Sequence, residues 1–357
     1  MSKNIYFTPG PTQLFYTVEG HIKSALKDDI GSISHRSKAF EKVFAEAREN
    51  LTELLGLSQG HEIYFTSSAN EIWERIIQNL VAHRSHHFSN GSFAKKFYSF
   101  AKDYQKDSIL TESGPGKPFE DLSIAEGSEL ISCTLNETSI GYTFPIQDIY
   151  DLKAKHPDKL VAVDGVSAFP CIPFDFSKVD TAYFSVQKSF GLPSGLGVWI
   201  LNKACVEKAE QLEANGQITG SYHKLSELRK HGAKNQTPET PNTLGIYLLG
   251  KVAKDMIDRG VKNIQNETIY KSTLLYQTLE NHPDFNPFIE NKEHRSKTVV
   301  VSECKNGSAE VIERFKKKGW ILGSGYSSFK ADHIRIANFP MHSKEQIEQL
   351  CDYFNQG

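Results

Sequence analysis

The sequence predicts an α/β protein whose main sheet is mostly parallel and covered on both faces by helices. Three observations carry that prediction. Strand-like and helix-like patterns alternate across residues 37–201, the strand-like runs are short and apolar, and polar residues gather where those runs end. Over residues 37–57, Phe40, Val43, Phe44, Ala47, Leu51, Leu54 and Leu55 share one helical face. Glu62-Ile-Tyr-Phe65 is a short strand, and residues 70–83 are helical, with Ile72, Trp73, Ile76, Ile77 and Leu80 at the right spacing. The runs at 130–135, 160–163 and Thr181–Ser185 are further buried strands. The polar stretch 230–242 interrupts the pattern, because Pro238 and Pro241 forbid a regular helix. A long helix follows over residues 244–259 and beyond. The remainder forms a second α/β unit: a strand at 297–302, a helix at 309–318, the strand His333–Ala337 and a closing helix at 343–353. The expected domains are residues 15–245 and 246–357, the latter joined by residues 1–14.

Composition narrows the function classes. Of 357 residues, 39% are hydrophobic and 24% charged, ordinary for a soluble globular enzyme of two domains. With 41 basic and 43 acidic side chains the net charge is −2, which points away from nucleic acid and from a membrane surface. No apolar run approaches the roughly 20 residues of a membrane span. Met-Ser-Lys-Asn-Ile-Tyr-Phe carries no apolar secretory core, so a cytoplasmic location is expected. The cysteines, Cys133, Cys171, Cys205, Cys304 and Cys351, form no C-x-x-C pair, so neither a disulfide framework nor a zinc site is indicated.

Chemistry concentrates at strand ends, where sheets of this kind bind ligands. Asp164 closes one apolar strand, and Lys188 follows another within Phe184-Ser-Val-Gln-Lys-Ser-Phe-Gly. That pairing suits pyridoxal 5′-phosphate: the lysine amine forms a Schiff base with the aldehyde, and the carboxylate keeps the pyridine nitrogen protonated. Ser67, Ser68, Ala69 and Asn70 join a strand to a helix, and their amides can cradle a phosphate, though the same turn also reads as a plain serine N-cap. Phe93 follows a histidine-containing loop and can either stack on a pyridine ring or belong to the core. His83, His86 and His87 show neither ligand spacing nor a carboxylate partner, so no metal is expected. Thr138 can reach a phenolic oxygen, and Gln187 is a further polar strand-end group. On the alternating strand His333–Ala337, Arg335 opposes Ile334 and Ile336. It either grips a substrate carboxylate from an interdomain cleft or is a solvated edge arginine.

Together these segments resemble the class-V aminotransferases, pyridoxal-phosphate enzymes of fold type I, and among them the phosphoserine aminotransferases most. The resemblance covers nearly the whole chain. It is carried by Phe7-Thr-Pro-Gly-Pro-Thr12, Ser34-His-Arg-Ser37, Cys133-Thr-Leu-Asn-Glu-Thr138, Val163-Asp164, Gln187-Lys188 and Pro241-Asn-Thr243, the Gln-Lys and Asn-Thr motifs being the most specific. It implies a large domain with a mostly parallel seven-stranded sheet and a smaller C-terminal α/β domain. It implies Lys188 as the Schiff-base lysine and proton carrier, and Asp164 on the pyridinium. Thr138 would touch the ring oxygen with Gln187 assisting, and Phe93 would stack where the family usually has Trp. Ser68, Ala69, Asn242 and Thr243 would bind phosphate, His35 and Arg36 would reach the substrate, and Arg335 would hold its α-carboxylate. The Asn-Thr role implies a homodimer with composite sites.

Two departures bear on the substrate. The phosphate turn lacks the family's common Arg, and residues 323–333 replace a His-Arg pair that binds the substrate's own phosphate, leaving Lys330, Arg36 or His333 to substitute. The whole-chain resemblance nonetheless implies phosphoserine:2-oxoglutarate transamination in serine biosynthesis as the expected activity, and the departures motivate the alternative. The alternative is a class-V aminotransferase for an unphosphorylated amino acid, of the alanine–glyoxylate or serine–pyruvate type. A cysteine desulfurase-like lyase stands third, with Cys304 or Cys351 as its thiol.

Overall fold

The computed structural model describes residues 4–356, so residues 1–3 and 357 of the expected second unit lie outside the described residues. The main sheet has seven strands in the spatial order Glu62–Thr66, Gly197–Leu201, Thr181–Ser185, Leu160–Asp164, Leu130–Thr134, Ser85–Ser89 and Ile109–Glu112. Gly197–Leu201 runs antiparallel to both neighbours and the other pairings are parallel. Every residue of the central strands is buried, which is why their sequences are apolar on both faces.

Helices cover the sheet much as the periodicity predicts. Lys38–Leu55 starts where the Ser37 side chain accepts from the Phe40 amide and stops at Gly56, whose φ of 63° reverses the chain. Its buried residues are the seven of the expected face. The next helix, Ala69–Leu80, ends earlier than the expected residue 83, because the chain turns extended at Val81 to enter Ser85–Ser89. That strand is a correction to the loop read from its histidines. Ser-His-His-Phe-Ser looks like a surface segment, yet all five residues are buried. Most of its polar groups find partners inside: Ser85 Oγ meets His87 Nε2 at 2.8 Å and His86 Nε2 meets Thr111 Oγ1 at 2.8 Å, while His87 Nδ1 is left without one among the described residues.

The second sheet has the order Ile5–Phe7, Trp320–Ser324, His333–Ala337, Val299–Cys304 and Phe285–Pro287. Its first strand pairs parallel with Trp320–Ser324 across almost the whole sequence, a pairing no local pattern announces. Phe7, Leu275, Leu279, Phe315, Ile334, Ile336 and Phe354 form the core of this unit. The expected division at 245/246 falls inside the helix Thr243–Arg259, whose face of Ile246, Leu249, Val252 and Met256 packs into the core of the large sheet. Gly260, at φ 89°, ends that helix, and Val261–Asn281 continues in a new direction. Ser343 and Gln346 close a reciprocal capping box on the final helix, Lys344–Asn355.

Candidate active site

The carboxyl ends of the parallel strands converge on one cavity of about 110 Å3, lined by Ala69, Asn70, Trp73, Phe93, Thr134, Asn136, Thr138, Asp164, Val166, Ser185, Gln187 and Lys188. Asp164 is the last residue of its strand, buried, and accepts a hydrogen bond from the Val166 amide at 2.9 Å. Burial above all pushes its carboxyl up to about 7. Lys188 sits in the turn between Thr181–Ser185 and Gly197–Leu201, with Nζ donating to the Pro9 carbonyl at 2.8 Å. Burial first and the Arg335 guanidinium second lower its amine to about 8. The N-terminal segment lies over this amine so closely that a Cβ on Gly10 would stand 2.1 Å from Nζ.

The turn before Ala69–Leu80 divides its four candidate residues. Ala69 and Asn70 face the cavity. Ser68 Oγ caps the helix, accepting from the Glu71 amide at 3.3 Å, while the Ser67 amide and hydroxyl both donate to the Glu71 carboxylate, at 2.8 and 2.7 Å. The Ala69 amide is itself engaged by Ser185 Oγ at 2.9 Å. Where the family commonly has a cation, this turn holds Glu71 against His223, which also meets Glu239 at 2.7 Å.

Phe93 stands in the first turn of the helix Ser92–Asp103, not in a loop, and its ring lies 5.1 Å from that of Tyr326. Thr138 Oγ1 donates to Ser167 Oγ at 2.7 Å. Its carbonyl accepts from Arg335 Nη1 at 3.4 Å, so the C-terminal unit meets the large sheet at the edge of the cavity. Arg335 Nε donates to the Ser324 carbonyl at 2.8 Å, and the guanidinium lies 5.3 Å over the Tyr326 ring. The solvated edge reading of Arg335 therefore gives way to a half-buried one.

A single chain leaves five of the candidates elsewhere. Arg36 donates to the carbonyls of Thr237 at 2.6 Å and Pro238 at 3.1 Å, which ties it and the adjacent His35 to the 236–239 segment. Asn242 caps Thr243–Arg259 by accepting from the Gly245 amide at 2.8 Å and donates to the Gly195 carbonyl at 3.1 Å; Thr243 sits beside the Pro241 carbonyl. Lys330 is exposed at the end of a short turn. The residues that sequence reading missed are Thr134 and Ser185, both last in their strands, with Trp73, Asn136 and Val166. The strand-end rule that found Asp164 would have found the first two. Trp73 was hidden because it also belongs to the apolar helix face.

The profile of the family Aminotransferase class-V matches residues 116–340, more than half of the chain and including Asp164, Lys188 and Arg335. The chain belongs to the class-V aminotransferases. A phosphoserine aminotransferase from Cytophaga hutchinsonii superposes with a TM-score of 0.98 and 43% identity, covering 100% of this chain and 99% of that one. The phosphoserine aminotransferase of Rhodococcus opacus (strain B4) is 27% identical over 326 residues, 89% of this chain and 85% of the relative. An aspartate aminotransferase from Thermus thermophilus, at 21% identity and a TM-score of 0.87 over 99% of this chain and 98% of that one, shares the fold. This aminotransferase is thus a fold-type I enzyme that uses pyridoxal 5′-phosphate.

The cavity fits that cofactor. Asp164 is a sealed carboxylate with the Val166 amide as its backbone donor, and a cation brought to it offsets the desolvation that raises it. Lys188 presents a buried amine to the same space. When bound, pyridoxal 5′-phosphate supplies an electron-withdrawing ring that takes up charge as a substrate Cα–H ionises. No cysteine offers the thiolate a desulfurase-like lyase needs. Cys304 and Cys351 are buried, and burial pushes their thiols up to about 12 and about 11.

Proposed function

We propose that this aminotransferase interconverts phosphoserine and 3-phosphohydroxypyruvate, with 2-oxoglutarate and glutamate as the second pair, in serine biosynthesis. The observation that carries the proposal is the whole-chain match to the Cytophaga hutchinsonii phosphoserine aminotransferase at 43% identity. In this reading Lys188, its amine lowered to about 8, takes and returns the proton at the substrate Cα near neutral pH. Asp164 keeps the cofactor's ring nitrogen protonated, Phe93 packs on the ring face, and Thr138 and Gln187 border its oxygen. Ala69 and Asn70 sit at the phosphate end with Ser67 and Ser68 shaping the turn, and Arg335 takes the substrate α-carboxylate. A homodimer in the cytoplasm completes the reading: Asn242, Thr243, His35 and Arg36 lie away from their own cavity and would serve the one across the interface.

A second reading, an unphosphorylated amino acid as donor, is favoured by one observation. Among the described residues the cavity lining carries no cation except Lys188, with Arg335 beside it, so a phosphate would need further charge partners from Arg36, Lys330 or His333, the last of which is engaged by Asp332 at 2.6 Å. Addition of L-phosphoserine, L-alanine and L-serine separately to the yellow, cofactor-loaded protein decides between them. Rapid loss of the visible band with phosphoserine alone supports the proposal; loss with alanine or serine and none with phosphoserine rejects it.

A further inference from the structure

Glu137 is fully buried beside the cavity without lining it. It lies on the short hairpin strand Asn136–Glu137, between two residues that do line the cavity, Asn136 and Thr138. Its carboxyl group is saturated. Oε2 accepts from the amides of Phe93 at 3.1 Å and Ala94 at 3.0 Å, and Oε1 accepts from the amide of Ser139 at 3.1 Å and its hydroxyl at 2.6 Å. Ser139 Oγ in turn accepts from the Ser92 amide at 3.0 Å, which directs its proton toward Glu137. Burial raises the Glu137 carboxyl above its ordinary range, and the bonds from Ser139, Ala94 and Phe93 oppose that rise. All four neighbours are donors, and a proton on either carboxyl oxygen would displace one of them, so the hydrogen-bond geometry favours the carboxylate.

These bonds replace a missing cap. Gly91 precedes the helix Ser92–Asp103 and has no side chain to bond its first turn, and a Cβ at Gly91 would stand 2.3 Å from Glu137 Cγ. The first three amides of the helix are met by Glu137 from another strand and by Ser139 from the turn after it, which fixes Phe93 in the first turn against the cavity. The carboxylate also enters the charge balance of the site. The titratable groups facing Lys188 are Asp164 from the neighbouring strand end, Arg335 from the C-terminal sheet and Glu137. Tyr183 lies against Asp164, and Tyr326 against Arg335. Glu137 and Asp164 are the carboxyl groups set against the two basic groups, and Arg335 reaches the Glu137 hairpin through the Thr138 carbonyl at 3.4 Å.

We propose that Glu137 is a positioning residue for aminotransfer: it seats the Phe93 ring at the cavity wall and sets a carboxylate on the hairpin whose next residue, Thr138, receives Arg335. The proposal rests on aminotransfer in this cavity and not on which amino acid enters. It is tested on the pyridoxal 5′-phosphate-loaded protein without substrate, so its failure is distinct from a failure of phosphoserine to react. The measurement is the pH midpoint of the visible absorbance of wild type, Glu137→Gln and Ser139→Ala. Removal of the charge in Glu137→Gln is expected to lower the midpoint by at least about half a pH unit. Ser139→Ala removes the hydroxyl bond to Glu137 and the cap on the Ser92 amide with the charge intact, and its midpoint should stay within about 0.2 unit of wild type. An unmoved midpoint in Glu137→Gln, or an equal fall in both variants, overturns the proposal. Should Glu137→Gln not fold, Glu137→Asp keeps the charge and withdraws it from Phe93 and Ala94. Its midpoint should hold while the cofactor dissociation constant rises at least about fivefold, and wild-type affinity or a fallen midpoint there counts against it.

Discussion

Replacing Asp164 by asparagine should make the cofactor-free protein more stable at alkaline pH while destroying its activity. The substitution keeps the shape of the side chain and an oxygen to accept from the Val166 amide, and removes the charge. Burial holds the carboxyl at about 7, against an ordinary value of 3.8. A folded-state pKa raised in this way means that the native protein binds the proton more tightly than the unfolded chain. The stability it contributes is complete below about pH 4 and is lost as pH rises through about 7. A shift of roughly three units at about 1.4 kcal/mol each sets a ceiling near 4 kcal/mol, in order of magnitude. Unfolding entropy of about 2 cal/mol/K per residue over this length converts the ceiling to about 5 °C. Thermal unfolding of both cofactor-free proteins between pH 5 and pH 8.5 is the assay. The variant should melt about 2 °C above wild type at pH 5 and up to about 5 °C above it at pH 8. Loading with pyridoxal 5′-phosphate should reverse the order, because only the carboxylate gains a cation, and the loaded variant should lose most of its turnover. A cofactor-free variant that melts at or below wild type at pH 8, or a loaded one with near-normal turnover, refutes the reasoning.

Three further outcomes follow from the geometry. Gly10 has φ 145° and leaves a Cβ no room beside Lys188 Nζ, so Gly10→Ala should cut turnover at least about a hundredfold, with the main sheet intact by circular dichroism. Phe93→Ala should raise the cofactor dissociation constant about fivefold, the worth of roughly 1 kcal/mol of ring packing, and Phe93→Trp should restore it by equilibrium dialysis. His223 is lowered by burial but raised further by its bonds to Glu239 and Glu71, to about 9. The stability it brings is present in full below about pH 6.5 and is lost as pH rises through 9. His223→Gln should therefore melt below wild type at pH 7, and the gap should close toward pH 10.

What the sequence determined by itself is what depends on near neighbours. The apolar face of Lys38–Leu55, the buried strands Leu160–Asp164 and Thr181–Ser185, and the placement of Asp164 and Lys188 at or just beyond strand ends all follow from periodicities of a few residues. The strand Ser85–Ser89 escaped that reading because Ser85 and His86 are partnered by Ser108 and Thr111, side chains that only the folded sheet brings near. The same holds for the site. Lys188 donates to Pro9 across 179 positions, and Arg335 meets Thr138 across 197. Glu137 caps a helix 44 residues upstream. None of these contacts leaves a periodic trace, because each is fixed by how two sheets dock and not by the propensities of either segment. Tertiary structure alone decided that Ala69 and Asn70 face the cavity while Ser67 turns to Glu71, and that Arg36 and Asn242 stand apart from it. Hydrogen-bond direction and burial depend on atoms far apart in the chain, which no window of sequence contains.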